Sequence, residues 1–266
     1  MKKLFLLIIL ASLAGCEGER LGMIKIEGTI VSSEETVKNL KTFEEDPSIK
    51  GVLVVVNSPG GGVGASQEIF EAIKSLKDKG KKVVVSMSSL AASGGYYVSL
   101  PADKIVALPS TITGSIGVIL NFPVYKGLMD KLGIQVYTVK SRENKDIGSG
   151  TREPKETDTL LLKQMIDDVY EQFVDEVVLW RNLPKDSVWA IADGRVLSGR
   201  QACKLGLVDT LGSREVAHKI LAELCEMEGT PKLVEIPKKR SLWEEIMESR
   251  IGDFFTPTLR YELQFR

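Results

Sequence analysis

Gly51-Val52-Leu53-Val54-Val55-Val56-Asn57-Ser58-Pro59-Gly60-Gly61-Gly62 decides the fold. Its first half is an unbroken, mostly β-branched run, the pattern of a strand buried on both faces. Its second half is a turn of Asn, Ser, Pro and three glycines, which no strand or helix continues through. A helix is expected just beyond, over about residues 65–79, where Ile69, Phe70, Ile73 and Leu76 recur at helical spacing as one core-facing stripe. Strand, glycine-rich turn and amphipathic helix in succession are the start of a β-α-β unit.

Working outward, an alternating strand is expected over residues 21–30 and a short helix over 34–43. Further strands are expected at 82–87, 104–108, 116–120 and 134–140, with helices after Ser93, around 124–131 and over 157–181. The order strand, helix, strand, helix makes this an α/β fold. Residues 140–156 are polar, charged and glycine-containing, so a loop or flap is expected there, and short helices and strands complete the domain to residue 237.

With 266 residues, 43% hydrophobic and 27% charged, the chain can bury a substantial core. Its net charge of −1 provides no basic field, which argues against nucleic acid as a partner. The N-terminus departs from this average. Met1-Lys2-Lys3 precedes an apolar run to Leu13, too short for a comfortable membrane span of about 20 residues. Leu13-Ala14-Gly15-Cys16 resembles the lipobox of bacterial lipoproteins, so residues 1–15 read as a signal peptide and Cys16 as the lipidated mature N-terminus. Residues 16–20 read as a linker, 21–237 as the catalytic domain and 238–266 as an apolar-rich tail that docks on the domain or on a neighbouring subunit. Cys203 and Cys225 form no C-x-x-C pair and no histidine cluster exists, so neither a zinc site nor any other metal or cofactor is expected.

The chemistry centres on Ser93, in Ala91-Ala92-Ser93-Gly94-Gly95-Tyr96-Tyr97, where small residues let a strand turn tightly into a helix with a hydroxyl at the bend. Acyl transfer needs a nucleophile, a base within hydrogen-bond reach and donors for the developing oxyanion. Ser93 offers the first, and the amides of Gly60 and Gly94 the third. The one histidine, His218, lies in a helical pattern near the end of the chain and is a poor base for Ser93. A lysine can replace it only when neutral, and at a pKa near 10.4 only about one lysine in 2,500 is neutral at pH 7. Such a lysine should be buried and free of a carboxylate partner. Lys140 and Lys145 both qualify by position, and spacing does not separate them.

Asn57-Ser-Pro-Gly-Gly-Gly62, Ala91-Ala-Ser93-Gly-Gly-Tyr-Tyr97, Thr113-Gly-Ser115-Ile-Gly117-Val118 and Lys140-Ser-Arg-Glu-Asn-Lys145-Asp146, in this order, resemble the short bacterial form of the signal peptide peptidase A family. Ala192-Asp193-Gly194-Arg195-Val196 and the glycine-containing stretch to Asp209 resemble its C-terminal part. The resemblance implies a Ser/Lys dyad of Ser93 and Lys145, 52 residues apart, with Ser115 orienting the lysine and Gly60 and Gly94 as oxyanion donors. It implies the Clp protease and crotonase fold of stacked β-β-α units and a homo-oligomeric ring. It also implies a membrane-anchored endopeptidase, outside the cytoplasm, that degrades hydrophobic peptides such as cleaved signal peptides. Where that form is often held by an N-terminal membrane helix, this chain carries a lipobox. Rival readings are a stomatin-associated membrane serine protease, a crotonase-like acyl-thioester enzyme and a silent scaffold lipoprotein.

Overall fold

The computed structural model describes residues 19–236. The leader, Cys16 and the tail over 238–266 therefore lie outside the described residues. Strand β1 (Arg20–Glu27) leads through helix α1 (Glu34–Glu45) to β2 (Ile49–Ser58), and α2 (Val63–Asp78) leads on to β3 (Lys82–Ala92). Both crossovers join parallel neighbours, β1 to β2 and β2 to β3, as a helical connection requires. The four-residue helix α3 (Gly94–Tyr97) follows, then β4 (Lys104–Ala107) and β5 (Ile112–Gly114). Both of these pair with β3, β4 along Val84–Met87 and β5 along Leu90–Ala92.

After α4 (Lys126–Lys131) and the long α5 (Glu156–Arg181) come α6 (Lys185–Trp189), β6 (Val196–Ser198), α7 (Gly199–Lys204), β7 (Thr210–Leu211), α8 (Arg214–Leu224) and β8 (Leu233–Glu235). The sheet order is β6-β5-β3-β2-β1-β8, with β4 pairing β3 and β7. Strand β6 runs antiparallel to β5.

The decisive stretch is as buried as its composition demands: every residue from Val52 to Val56 is in the core. Leu53 and Val55 pack with Leu21, Met23 and Val84 under Ala217 and Leu221 of α8. Val52, Val54 and Val56 alternate to the other face, so this parallel sheet is buried on both sides. The stripe expected on α2, Ile69, Phe70, Ile73 and Leu76, is fully buried. Among the described residues no helix is long and apolar enough to cross a membrane.

Two expected strands do not form. Residues 116–120 leave the sheet because the β5–β6 ladder ends at Gly114 opposite Val196. Positive φ values at Gly114 (73°) and Ser115 (50°) then turn the chain away. Residues 134–140 have strand composition, but among the described residues no strand pairs with them, and Ile134, Val136, Tyr137 and Val139 are exposed. Lys140 accordingly does not end a strand. Cys203 and Cys225 are unbridged, and burial pushes the Cys225 thiol up to about 11.

Candidate active site

The site lies where the parallel strands end, the usual location for chemistry in such sheets. In the β3–β5 register Ala92 is opposite Gly114, so the next residue of each strand, Ser93 and Ser115, emerges at the same level. The Ser93 N–H donates to Gly114 O at 2.9 Å, and the Ser115 N–H donates to Arg195 O at 2.8 Å. In the β2–β3 register Ser58 is opposite Ala91 after an irregularity in which β3 gains two residues on β2, which places Gly60 beside Ser93. Asn57 supports that irregularity, its Oδ1 accepting from the Leu90 N–H at 3.2 Å.

Both serines are strained. Ser93 has φ 52° and ψ −121°, and Ser115 has φ 50°, values that L-residues outside glycine adopt at a cost of about 1–3 kcal/mol. The Ser93 carbonyl is fixed by the N–H groups of Tyr96 and Tyr97, both at 2.9 Å. Close approach explains the glycines. Gly60 has φ 96°, and a Cβ on it would stand 2.5 Å from Gly94 N and 3.0 Å from Ser93 Cβ. A Cβ on Gly95 would meet Ser58 O at 2.7 Å. The loop after β2 and the bend after β3 can touch only because neither carries side chains there.

Among the described residues the Gly94 N–H has no acceptor. The Gly60 N–H donates to the buried Ser58 Oγ at 3.1 Å. Gly61 makes a parallel bridge to Ile30 through Gly60 O and Gly62 N, which turns its own N–H to the opposite side.

Ser93, Gly94, Gly61 and Ser115 line one cavity of about 600 Å³. The wall on α5 sets the apolar Ile166, Val169 and Phe173, joined by Tyr97, among the polar Lys163, Asp167 and Gln172. Tyr97 stacks on Phe70 at 4.8 Å and edge-on to Phe173 at 5.1 Å, and burial raises its phenol to about 12, so it stays neutral. This wall was missed in the sequence. Its signal was there in the spacing of residues 166, 169 and 173 on a helix already expected.

The lysines are arranged unequally. Lys145, in a 3-10 turn over Glu143–Asp146, is exposed and does not line the cavity. Lys140 donates to Asp146 Oδ1 and to Glu143 O, both at 2.8 Å. Lys163 does line the cavity but is held by both oxygens of Asp167 at 2.7 and 2.9 Å. An ammonium so engaged has no lone pair to offer a serine. His218 sits on α8, away from the cavity lining. The structure therefore brings Ser93, Ser115, Gly60 and Gly94 together and leaves Lys145 apart from them within one chain.

A model of peptidase family S49 matches residues 75–228, more than half of the chain, and a Clp protease model matches residues 19–113. The chain is 46% identical over 196 residues to a candidate protease of Methanocaldococcus jannaschii, covering 74% of this chain and 62% of that protein. It is 36% identical over 216 residues to a candidate signal peptide peptidase SppA of Enterococcus faecium, covering 76% of this chain and 63% of the relative. The chain thus spans less than two thirds of the length of these relatives. A solved structure of a ClpP1 mutant from Listeria monocytogenes superposes with a TM-score of 0.50 at 19% identity, over 72% of this chain and 91% of that one. That likeness concerns the fold. This chain belongs to peptidase family S49, as an SppA-like member built on a Clp protease-like fold.

Proposed function

We propose that this chain is a serine endopeptidase that cleaves hydrophobic peptides, cleaved signal peptides among them. In this reading it is held outside the cytoplasm by a lipid on Cys16. One observation carries it: Ser93 is held in a strained bend, beside an unengaged Gly94 amide, on a cavity partly walled by apolar side chains. An extended peptide would lie along the glycine-rich loop, its side chains against Tyr97, Ile166 and Phe173.

Ser93 Oγ attacks the scissile carbonyl carbon while Lys145 Nζ takes its proton. The carbonyl π pair moves onto oxygen, where the amides of Gly94 and Gly60 receive the charge, the latter shared with Ser58. Lys145 returns the proton to the leaving amine, and water activated by the same lysine hydrolyses the acyl-enzyme. Ser115 orients the amine without adding a charge.

Because Lys145 is exposed and off the cavity of its own chain, it serves the Ser93 of a neighbouring copy in this reading. Residues 119–139 support that assembly. Ile119 (81% exposed), Tyr137 (92%) and Val139 (82%), with Leu128 and Leu132, make an apolar arm that a second copy would cover. Burial under that copy is also what a lysine base requires. The test is a fluorophosphonate probe with peptide cleavage. Wild type is expected to label and cleave, and Ser93→Ala to do neither; equal labelling of the two would dismiss Ser93 as the nucleophile.

A further inference from the structure

Ser66 lies near the start of α2, its own N–H bonded to Gly62 O at 3.0 Å. It is 3% exposed, yet its Oγ has no hydrogen-bond partner among the described residues. Leaving a buried hydroxyl unpaired is costly, and such groups are rare enough to ask for a reason. The surroundings supply one. A Cβ built on Gly94 would stand 2.6 Å from Ser66 Oγ, 3.2 Å from Gly61 N and 3.2 Å from Gly60 Cα. The hydroxyl is thus packed against the residue that follows the nucleophile, and Ser66, Gly61, Ser93 and Gly94 all line the same cavity.

Donors are otherwise short at this point. The Gly60 N–H is already given to Ser58 Oγ at 3.1 Å. Around Gly94 the groups left without an acceptor among the described residues are its own N–H, the Gly61 N–H and the Ser66 hydroxyl.

We propose that the Ser66 hydroxyl is a further donor to the oxyanion formed when Ser93 attacks, acting beside the Gly94 amide. This rests on the serine-peptidase reading above. No proton changes hands at Ser66: its O–H stays intact and donates to the oxygen that receives the carbonyl electron pair, while the Ser93 proton goes to the lysine. The hydroxyl is unpaired in the resting enzyme because its acceptor exists only during the reaction.

The experiment uses the full-length assembled enzyme and compares wild type, Ser66→Ala, Ser66→Cys and Ser93→Ala. It reads kcat and KM on an apolar peptide, the affinity for a peptide aldehyde, whose adduct with Ser93 carries the same oxygen, and Tm. Ser66→Ala is expected to lower kcat by about 10- to 100-fold, below the loss for a principal oxyanion donor. KM should stay within about twofold, and aldehyde affinity should fall in parallel with kcat. Its Tm should hold or rise, since no bond is lost and alanine favours the helix. Ser66→Cys, similar in size with a weak donor, should fall between.

Unchanged kcat and aldehyde affinity in Ser66→Ala would overturn the proposal, as would a loss of activity matched by a lower Tm. If wild type does not cleave, or Ser93→Ala cleaves as well as wild type, the peptidase reading itself fails and this inference falls with it.

Discussion

At Ser93 the backbone holds φ 52°, and the cost is borne by bonds on each side: Gly114 O accepts the Ser93 N–H, and the N–H groups of Tyr96 and Tyr97 hold its carbonyl. Gly60 completes that bend through shape alone. A methyl there would meet Gly94 N at 2.5 Å at a φ of 96° that alanine resists. Gly60→Ala is therefore expected to destabilise the chain by about 2–4 kcal/mol, or to force the loop off Ser93. Thermal melts and fluorophosphonate labelling check this; an unchanged Tm with full labelling would mean that the loop tolerates the displacement. Ser93 and the two glycines drew notice in the sequence as small-residue turns after apolar runs, a pattern that an ordinary turn also explains, and Ser115 entered only through the family resemblance. Ser66 drew no notice, since one serine near a helix start reads as an ordinary turn residue until its burial and missing partner are seen.

The turn that carries Lys145 is held by ions, not by a core. Arg152 grips both oxygens of Asp146, Nε at 3.0 Å and Nη2 at 2.9 Å, and also pairs with Asp158. Asp158 in turn accepts the Lys155 N–H at 3.0 Å at the start of α5. The Arg152 hydrogen bonds, followed by that of Lys140, hold the Asp146 carboxyl far below the ordinary carboxylate range, and Arg152 does the same more mildly for Asp158. Both folded-state values are depressed, so this contribution to stability is complete above the unfolded carboxylate pKa of about 4 and is lost as pH falls below it. Residues 140–156 should keep constant amide exchange from pH 7 to about 5, after correction for intrinsic rates, and open at more acid pH. Asp146→Asn should open them already at pH 7. Protection that persists in the variant would show that the ion network is not what holds the turn. The sequence conveyed this segment only as a polar loop, because pairing among its nine charged side chains is not written in their spacing. The strands expected at 116–120 and 134–140 failed for a related reason: apolar alternation records that a surface is covered, but not which strand or which chain covers it.

Across the whole molecule, the α/β sheet was legible from its buried strand, glycine turn and alternating elements, and its Clp-like form only from the family resemblance, whereas the completeness of the site was not. Within one chain, Ser93 lies on the cavity and Lys145 does not, while an arm with Tyr137 92% exposed is left uncovered. If a second copy covers that arm, the two halves of the dyad belong to different chains, and mixing distinguishes this from a dyad within one chain. Ser93→Ala and Lys145→Ala should each be inactive alone. After dissociation and reassembly together at equal amounts, about a quarter of the sites should combine an intact serine from one chain with an intact lysine from its neighbour, if copies mix at random around a closed assembly. Activity near that fraction is the expected result. A dyad made within one chain would restore nothing, because every chain in the mixture carries one lesion. Tyr137→Glu with Val139→Glu, placed on the arm and outside the cavity, should abolish the rescue and shift the protein to a smaller species by light scattering. Rescue that survived those two charges would place the contact elsewhere than on the arm.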